Sequence, residues 1–148
     1  MADANGNSEA QIGWGTEFWL ANAAGVLTEL DEVVEVPFAE EVADDVEVTH
    51  MKSPGRRKEY KTGLIEPGEG TLMVNYIPGS PTDLLLAAAH QDGKVRAYKS
   101  VLLTEDGTWE IEGFLIVKSR PRAVPIGDRK TQSIAVRFTG ATTEAAGA

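Results

Sequence analysis

Cysteine is absent from all 148 residues, which excludes disulfides and thiolate metal sites outright and fits a reducing compartment. No apolar run approaches the roughly 20 residues of a membrane-spanning helix. Met1–Ala10 is small and polar, so no basic-then-apolar signal opens the chain. These absences predict a protein that stays soluble in the cell that makes it, with no membrane partner. Positive charge is missing from the first third: residues 1–50 hold 12 Asp/Glu and no Lys or Arg. No internal repeat is visible.

Catalytic chemistry is equally sparse. The two histidines, His50 and His90, have no spacing that suggests a shared metal. Gly68-Glu69-Gly70 lacks the Lys-Ser/Thr and helix of a phosphate loop and reads as a turn. Asp44-Asp45 lacks the alternating ligand spacing of a calcium loop, and Ser53 has no neighbouring base in sequence. The expectation is a protein that is not an enzyme and takes no cofactor or metal. A grip on nucleic acid is also poorly supported. Lys52, Arg56, Arg57, Lys58 and Lys61 form the one basic cluster, Tyr60 is its only aromatic, and the net charge of −9 opposes phosphate binding.

What remains is the pattern of a β protein. The length gives one domain, and 42% hydrophobic residues suffice for a core. Gly15–Ala21 reads as a short strand. Val26–Val36 reads as a second, with Leu30, Val34 and Val36 on one face and Glu29, Asp31 and Glu35 on the other. Tyr98–Leu103 and Trp109–Val117 flank Glu105-Asp106-Gly107, a tight-turn signal, with Glu110 and Glu112 opposite the apolar face. Thr131–Thr139 is the last strand, with Ile134, Val136 and Phe138 facing the core. Residues 43–63 fit no compact core: two short strand-like pieces, Val46–His50 and Glu59–Thr62, surround Ser53-Pro54-Gly55 among charges. Loops of this length are functional or disordered. Residues 1–11 and 140–148 are small and polar and read as flexible arms, which leaves 12–139 as the folded domain.

Residues 70–100, GTLMVNYIPGSPTDLLLAAAHQDGKVRAYKS, carry the densest signal. A strand (Thr71–Ile77) stops at Pro78-Gly79, and a helix follows from Ser80 to about His90. Ser80 is a good N-cap, Pro81 sits at the first helical position and Asp83 falls three residues after the cap. Leu84, Leu85, Ala88 and Ala89 are expected to cover an open side of the sheets. An Asp92-Gly93 turn leads to a strand beginning Arg96-Ala97-Tyr98-Lys99. The architecture predicted is mainly β: an antiparallel β-sandwich or half-barrel with one flanking α-helix and a long protruding loop.

The strand–IPG–short helix–RAYK order resembles the tail tube proteins of lambda-type long-tailed bacteriophages. Gly15-Thr16-Glu17-Phe18-Trp19-Leu20 and Val48-Thr49-His50-Met51-Lys52-Ser53-Pro54-Gly55-Arg56 fit the same family in the right order, and the resemblance spans roughly residues 13–140. It implies a structural virion protein whose homo-hexameric rings stack into a tube. Double-stranded DNA passes through that tube without specific binding. The implied partners are a tape measure protein, a tail terminator and tail tip proteins. The implied location is the virion tail, with the host cytoplasm during assembly. On that resemblance the 43–63 excursion is a ring-stacking loop carrying His50, Met51, Lys52, Arg56, Arg57, Lys58 and Glu59. Its expected acidic partners are Glu40, Glu41, Asp44 and Asp45. Glu29, Asp31, Glu35, Glu110 and Glu112 are expected to face the lumen, where an acidic wall repels the polyanion. An inner tube of a contractile tail or secretion-like particle is the alternative within the class. A monomeric β-barrel binding a small ligand is the alternative outside it.

Overall fold

The computed structural model describes residues 13–105 and 107–147; the N-terminal arm expected over residues 1–11 lies outside them. In chain order the elements are β1 (Glu17–Ala21), β2 (Leu27–Glu29), β3 (Val33–Glu35), β4 (Val42–Glu47), β5 (Tyr60–Glu66), β6 (Glu69–Asn75), α1 (Pro81–Asp92), β7 (Arg96–Thr104), β8 (Gly107–Ser119), β9 (Arg122–Ala123) and β10 (Thr131–Ala146). One antiparallel sheet runs β2-β1-β7-β8-β10-β6-β3, with β9 paired beside β10, while β4 and β5 pair only with each other.

Strands β2 and β3 occupy the two edges of the main sheet, yet only Leu30–Glu32 separates them in sequence. Such a link spans at most about 14 Å. The sheet therefore curls until its edges nearly meet, giving the half-barrel. This corrects the reading of Val26–Val36 as one strand. The chain breaks at Leu30, which is buried and donates its N–H to the Phe18 carbonyl at 2.9 Å, and at Glu32, whose φ of 60° no strand tolerates. Glu29, Asp31 and Glu35 thus share no strand face, and Val34 is exposed rather than packed with Leu30.

The inward faces of the curled sheet hold Phe18, Leu20, Leu72, Val74, Tyr98, Leu115, Val117, Ile134, Val136 and Phe138. Tyr98 stacks on Phe18 at 5.7 Å between centroids and tilts against Phe138 at 5.4 Å. Gly113 makes room for that ring, since a Cβ there would lie 3.1 Å from the Tyr98 hydroxyl. Among the described residues the interior is filled by these side chains.

Ser80 caps α1 as expected, its Oγ accepting from the Asp83 N–H at 3.2 Å, and Asp83 Oδ2 accepts in turn from the Gly79 N–H at 3.1 Å. The helix ends at Gly93 with φ 61°. Its buried face is Thr82, Leu86 and Ala89 with Leu85 half-buried, and Leu84 points to solvent, 61% exposed. Spacings of three and four from Thr82 make that stripe; Leu84 falls outside it. At the other end of the chain, β10 continues to Ala146 rather than stopping at Thr139. After a register shift between Thr139 and Thr143 it pairs with Trp109–Glu112 of β8, so residues read as an arm from Gly140 are strand as far as Ala146.

Candidate assembly surfaces

The β4–β5 hairpin leaves the body after Glu41 and returns at Glu66. Every residue of β4 is exposed, as is all of β5 except Gly63. The strands are Val42–Glu47 and Tyr60–Glu66 where the sequence suggested Val46–His50 and Glu59–Thr62. The tip is held by its own polar groups. Glu59 Oε2 accepts from Ser53 Oγ at 2.6 Å and lies 3.4 Å from His50 Nε2, while His50 Nδ1 accepts from the Lys52 N–H at 3.2 Å. A single 3-10 turn, Pro54–Arg56, forms the apex, with Gly55 and Arg56 both left-handed at φ 62° and 54°. Met51 is fully exposed beside it. Among the described residues, no carboxylate stands within 4.0 Å of Lys52, Arg56, Arg57, Lys58 or Lys61. The acidic residues proposed as partners sit at the root and stem of this same projection. Asp44 and Asp45 belong to β4, and Glu41 Oε1 accepts from Thr142 Oγ1 at 2.6 Å. Arg137 fixes the root by reaching Glu66 at 2.8 Å and Glu69 at 2.9 Å.

A second surface is the outward face of β2-β1-β7-β8. Register places Glu29, Trp19, Lys99 and Glu112 in one row across the strands, and Glu17, Val101 and Glu110 in the next. Three of the five residues expected in the lumen, Glu29, Glu110 and Glu112, are thus brought onto one face. Glu17 joins them, unforeseen because a strand's outward glutamate carries no signal until its neighbour is known. Lys99 is the one cation in these rows. It lies 3.6 Å from Glu110 and 5.1 Å over the Trp19 ring. Glu29 has its carboxyl pushed above the usual range, first by desolvation, then by the neighbouring Glu17 and Asp31. Glu35 is on the opposite wing, paired through β3 with Met73. Asp31 lies in the edge-to-edge link, with its N–H held by Thr82 Oγ1 at 2.9 Å.

Two arginines, Arg96 buried and Arg120 half-buried, anchor the helix end of the molecule. Arg96, 5% exposed, donates to the Ala21 carbonyl at 2.9 Å and to Asp92 at 2.6 Å, joining β1, β7 and the end of α1. The Lys94 N–H and then the Arg96 guanidinium hold the Asp92 carboxyl below its ordinary value. Arg120 meets Asp83 at 2.8 Å and Gln132 at 3.2 Å, fastening the start of α1 to β10. These pairs are structural supports. They explain the Arg96-Ala97-Tyr98-Lys99 run as a helix anchor, a core ring and a surface cation.

The lambda phage tail tube protein family matches residues 13–145. The chain belongs to that family. Among curated proteins none matches the sequence. Solved structures with a similar fold include the tail of an empty GTA particle refined with C6 symmetry, at 18% identity over 93% of this chain and 100% of the other, TM-score 0.70. The SPP1 tail tube is similar at 15% identity, covering 93% and 80% of the two chains with a TM-score of 0.67. A sheath/tube terminator structure of an extracellular contractile injection system matches at 12% identity over 94% and 99%, TM-score 0.65. At such identities the structural likeness bears on the fold alone, a curled β half-barrel with one helix.

Proposed function

We propose that this tail tube family member is a structural, non-catalytic protein that polymerises as stacked hexameric rings into the tube of a phage tail, through which double-stranded DNA passes during ejection. The observation that carries the reading is the family match across residues 13–145. The geometry supports it. Six copies of the four-stranded β2-β1-β7-β8 wing make a barrel of about 24 strands. At roughly 4.8 Å spacing and about 40° tilt its backbone diameter is about 50 Å, wide enough for a double helix. Ring closure also covers the β2 edge, which a lone subunit leaves open. The Glu17, Glu29, Glu110 and Glu112 face then lines the lumen, where like charge keeps DNA from adhering. The 43–63 hairpin is the ring-stacking element, with tape measure, terminator and tip proteins as partners and assembly in the host cytoplasm. The fold shared with a contractile injection system favours one second reading, the inner tube of a contractile particle, marked by a sheath bound outside. Negative-stain microscopy of concentrated protein tests both: rings or tubes are expected, and uniformly monomeric particles would overturn the proposal.

A further inference from the structure

Strand β6 has two ends of opposite character. Its first residue, Glu69, adjoins the root of the hairpin. Its last, Asn75, lies about 20 Å away, against the Leu30–Glu32 link and the start of α1. There a cleft of about 420 Å³ is lined by Asp31, Glu32, Asn75, Ile77, Ser80 and Thr82. Among the described residues the Asp31 carboxylate has no hydrogen-bond or ionic partner, and Glu32 takes only the Asn75 Nδ2–H, at 2.8 Å. Asn75 Oδ1 is buried without a donor. Asp83 in the same cleft is already neutralised by Arg120, so Asp31 and Glu32 are the charges left open.

The cations that match this cleft stand at the far end of the same chain. Among the described residues Lys52, Arg56, Arg57 and Lys58 have no carboxylate partner, and they stand on an exposed projection whose apex is the Pro54–Arg56 turn. Only two non-glycine residues of the described chain have positive φ, and they are Arg56 in the projection and Glu32 in the cleft. A left-handed residue with a side chain is strained and persists where its surroundings fix it; here the two carry opposite charge.

Resting on the tube reading, we propose that the hairpin apex of one copy docks in the Asp31–Glu32–Asn75 cleft of the next, Arg56 and Arg57 meeting the two carboxylates. The two surfaces are different patches at different ends of the molecule, so the contact is heterologous and repeats without closing, as an axial stack requires. It also moves the stacking partner away from Glu40, Glu41, Asp44 and Asp45, which share the projection with the basic tip. A guanidinium suits the cleft because its fork can bridge a carboxylate and the idle amide oxygen together.

Sedimentation and electron microscopy of charge-reversed chains test this. Arg56→Glu with Arg57→Glu, and separately Asp31→Arg with Glu32→Arg, should each raise the concentration needed for tubes at least tenfold. All four changes in one chain should restore assembly to within about threefold of the unmodified protein. Circular dichroism checks each fold; should the Glu32 change unfold the chain, Asp31→Asn alone should still raise the threshold. The cysteine-free sequence permits a direct measurement: Lys58→Cys with Ile77→Cys should give a ladder of disulfide-linked oligomers from oxidised tubes. Tubes that form normally from the Asp31/Glu32 variant, rescue by reversing Glu40, Glu41, Asp44 and Asp45 instead, or no ladder would overturn the docking alone. An unmodified protein that forms no tubes under any condition would overturn the tube reading beneath it.

Discussion

Tyr98 is the residue where packing and chemistry are most at odds. Its ring is sealed between Phe18 and Phe138, and its hydroxyl is buried with no hydrogen-bond partner among the described residues. Burial, with the Glu41 carboxylate adding to it, pushes the phenol up to about 12. The folded state therefore holds its proton more tightly than an unfolded chain, whose tyrosine titrates near 10. Stability from this source is intact below about pH 10 and is lost as pH rises from there toward 12. Tyr98→Phe removes an unsatisfied hydroxyl while keeping the ring. It should change stability at pH 7 by no more than about 1 kcal/mol and flatten the alkaline limb in denaturation from pH 9 to 12. An unchanged alkaline limb would assign that loss to other groups.

At the scale of elements, α1 is the one α-helix among the described residues, and its orientation on the sheet is testable by contrast. Leu86→Ala should cost about 2–5 kcal/mol in thermal or denaturant unfolding, because the side chain is fully buried. Leu84→Ala should fall within about 0.5 kcal/mol, since that side chain faces water. The start of this helix was legible in sequence because Ser80, Pro81 and Asp83 each perform a local task, and the long hairpin was legible as charge without a core. The β7–β8 pair was announced by alternation and an Asp-Gly turn. The β2–β3 break was not, because Glu32 has none of the usual marks of a left-handed residue; its two hydrogen bonds with Asn75, and the neighbouring Asp31 N–H held by Thr82, explain it. The end of β10 was missed for the converse reason: Gly140–Ala146 is weak strand sequence, paired because β8 offers it an edge. Of the candidate sites, the acidic face was half visible. Which glutamates share it depends on register between strands that lie far apart in sequence.

For the whole molecule, the distribution of charge matters more than its total of −9. Replacing Glu17, Glu29, Glu110 and Glu112 with Lys leaves the inward core untouched, so rings and tubes should still form while DNA ejection from assembled particles slows measurably. Unchanged ejection kinetics would remove this face from the lumen. A different property follows from the three residues that tie β2 to β3. The two lateral rims of a subunit are the ends of one short tether, with Leu30 pinned in the core between them. In the proposed ring, a neighbour that adds its strand to one rim would load the other through a connection of only three residues. Each subunit would then act as a stiff link: seating it on one side would set its other side for the next, and a ring once begun would be driven toward completion.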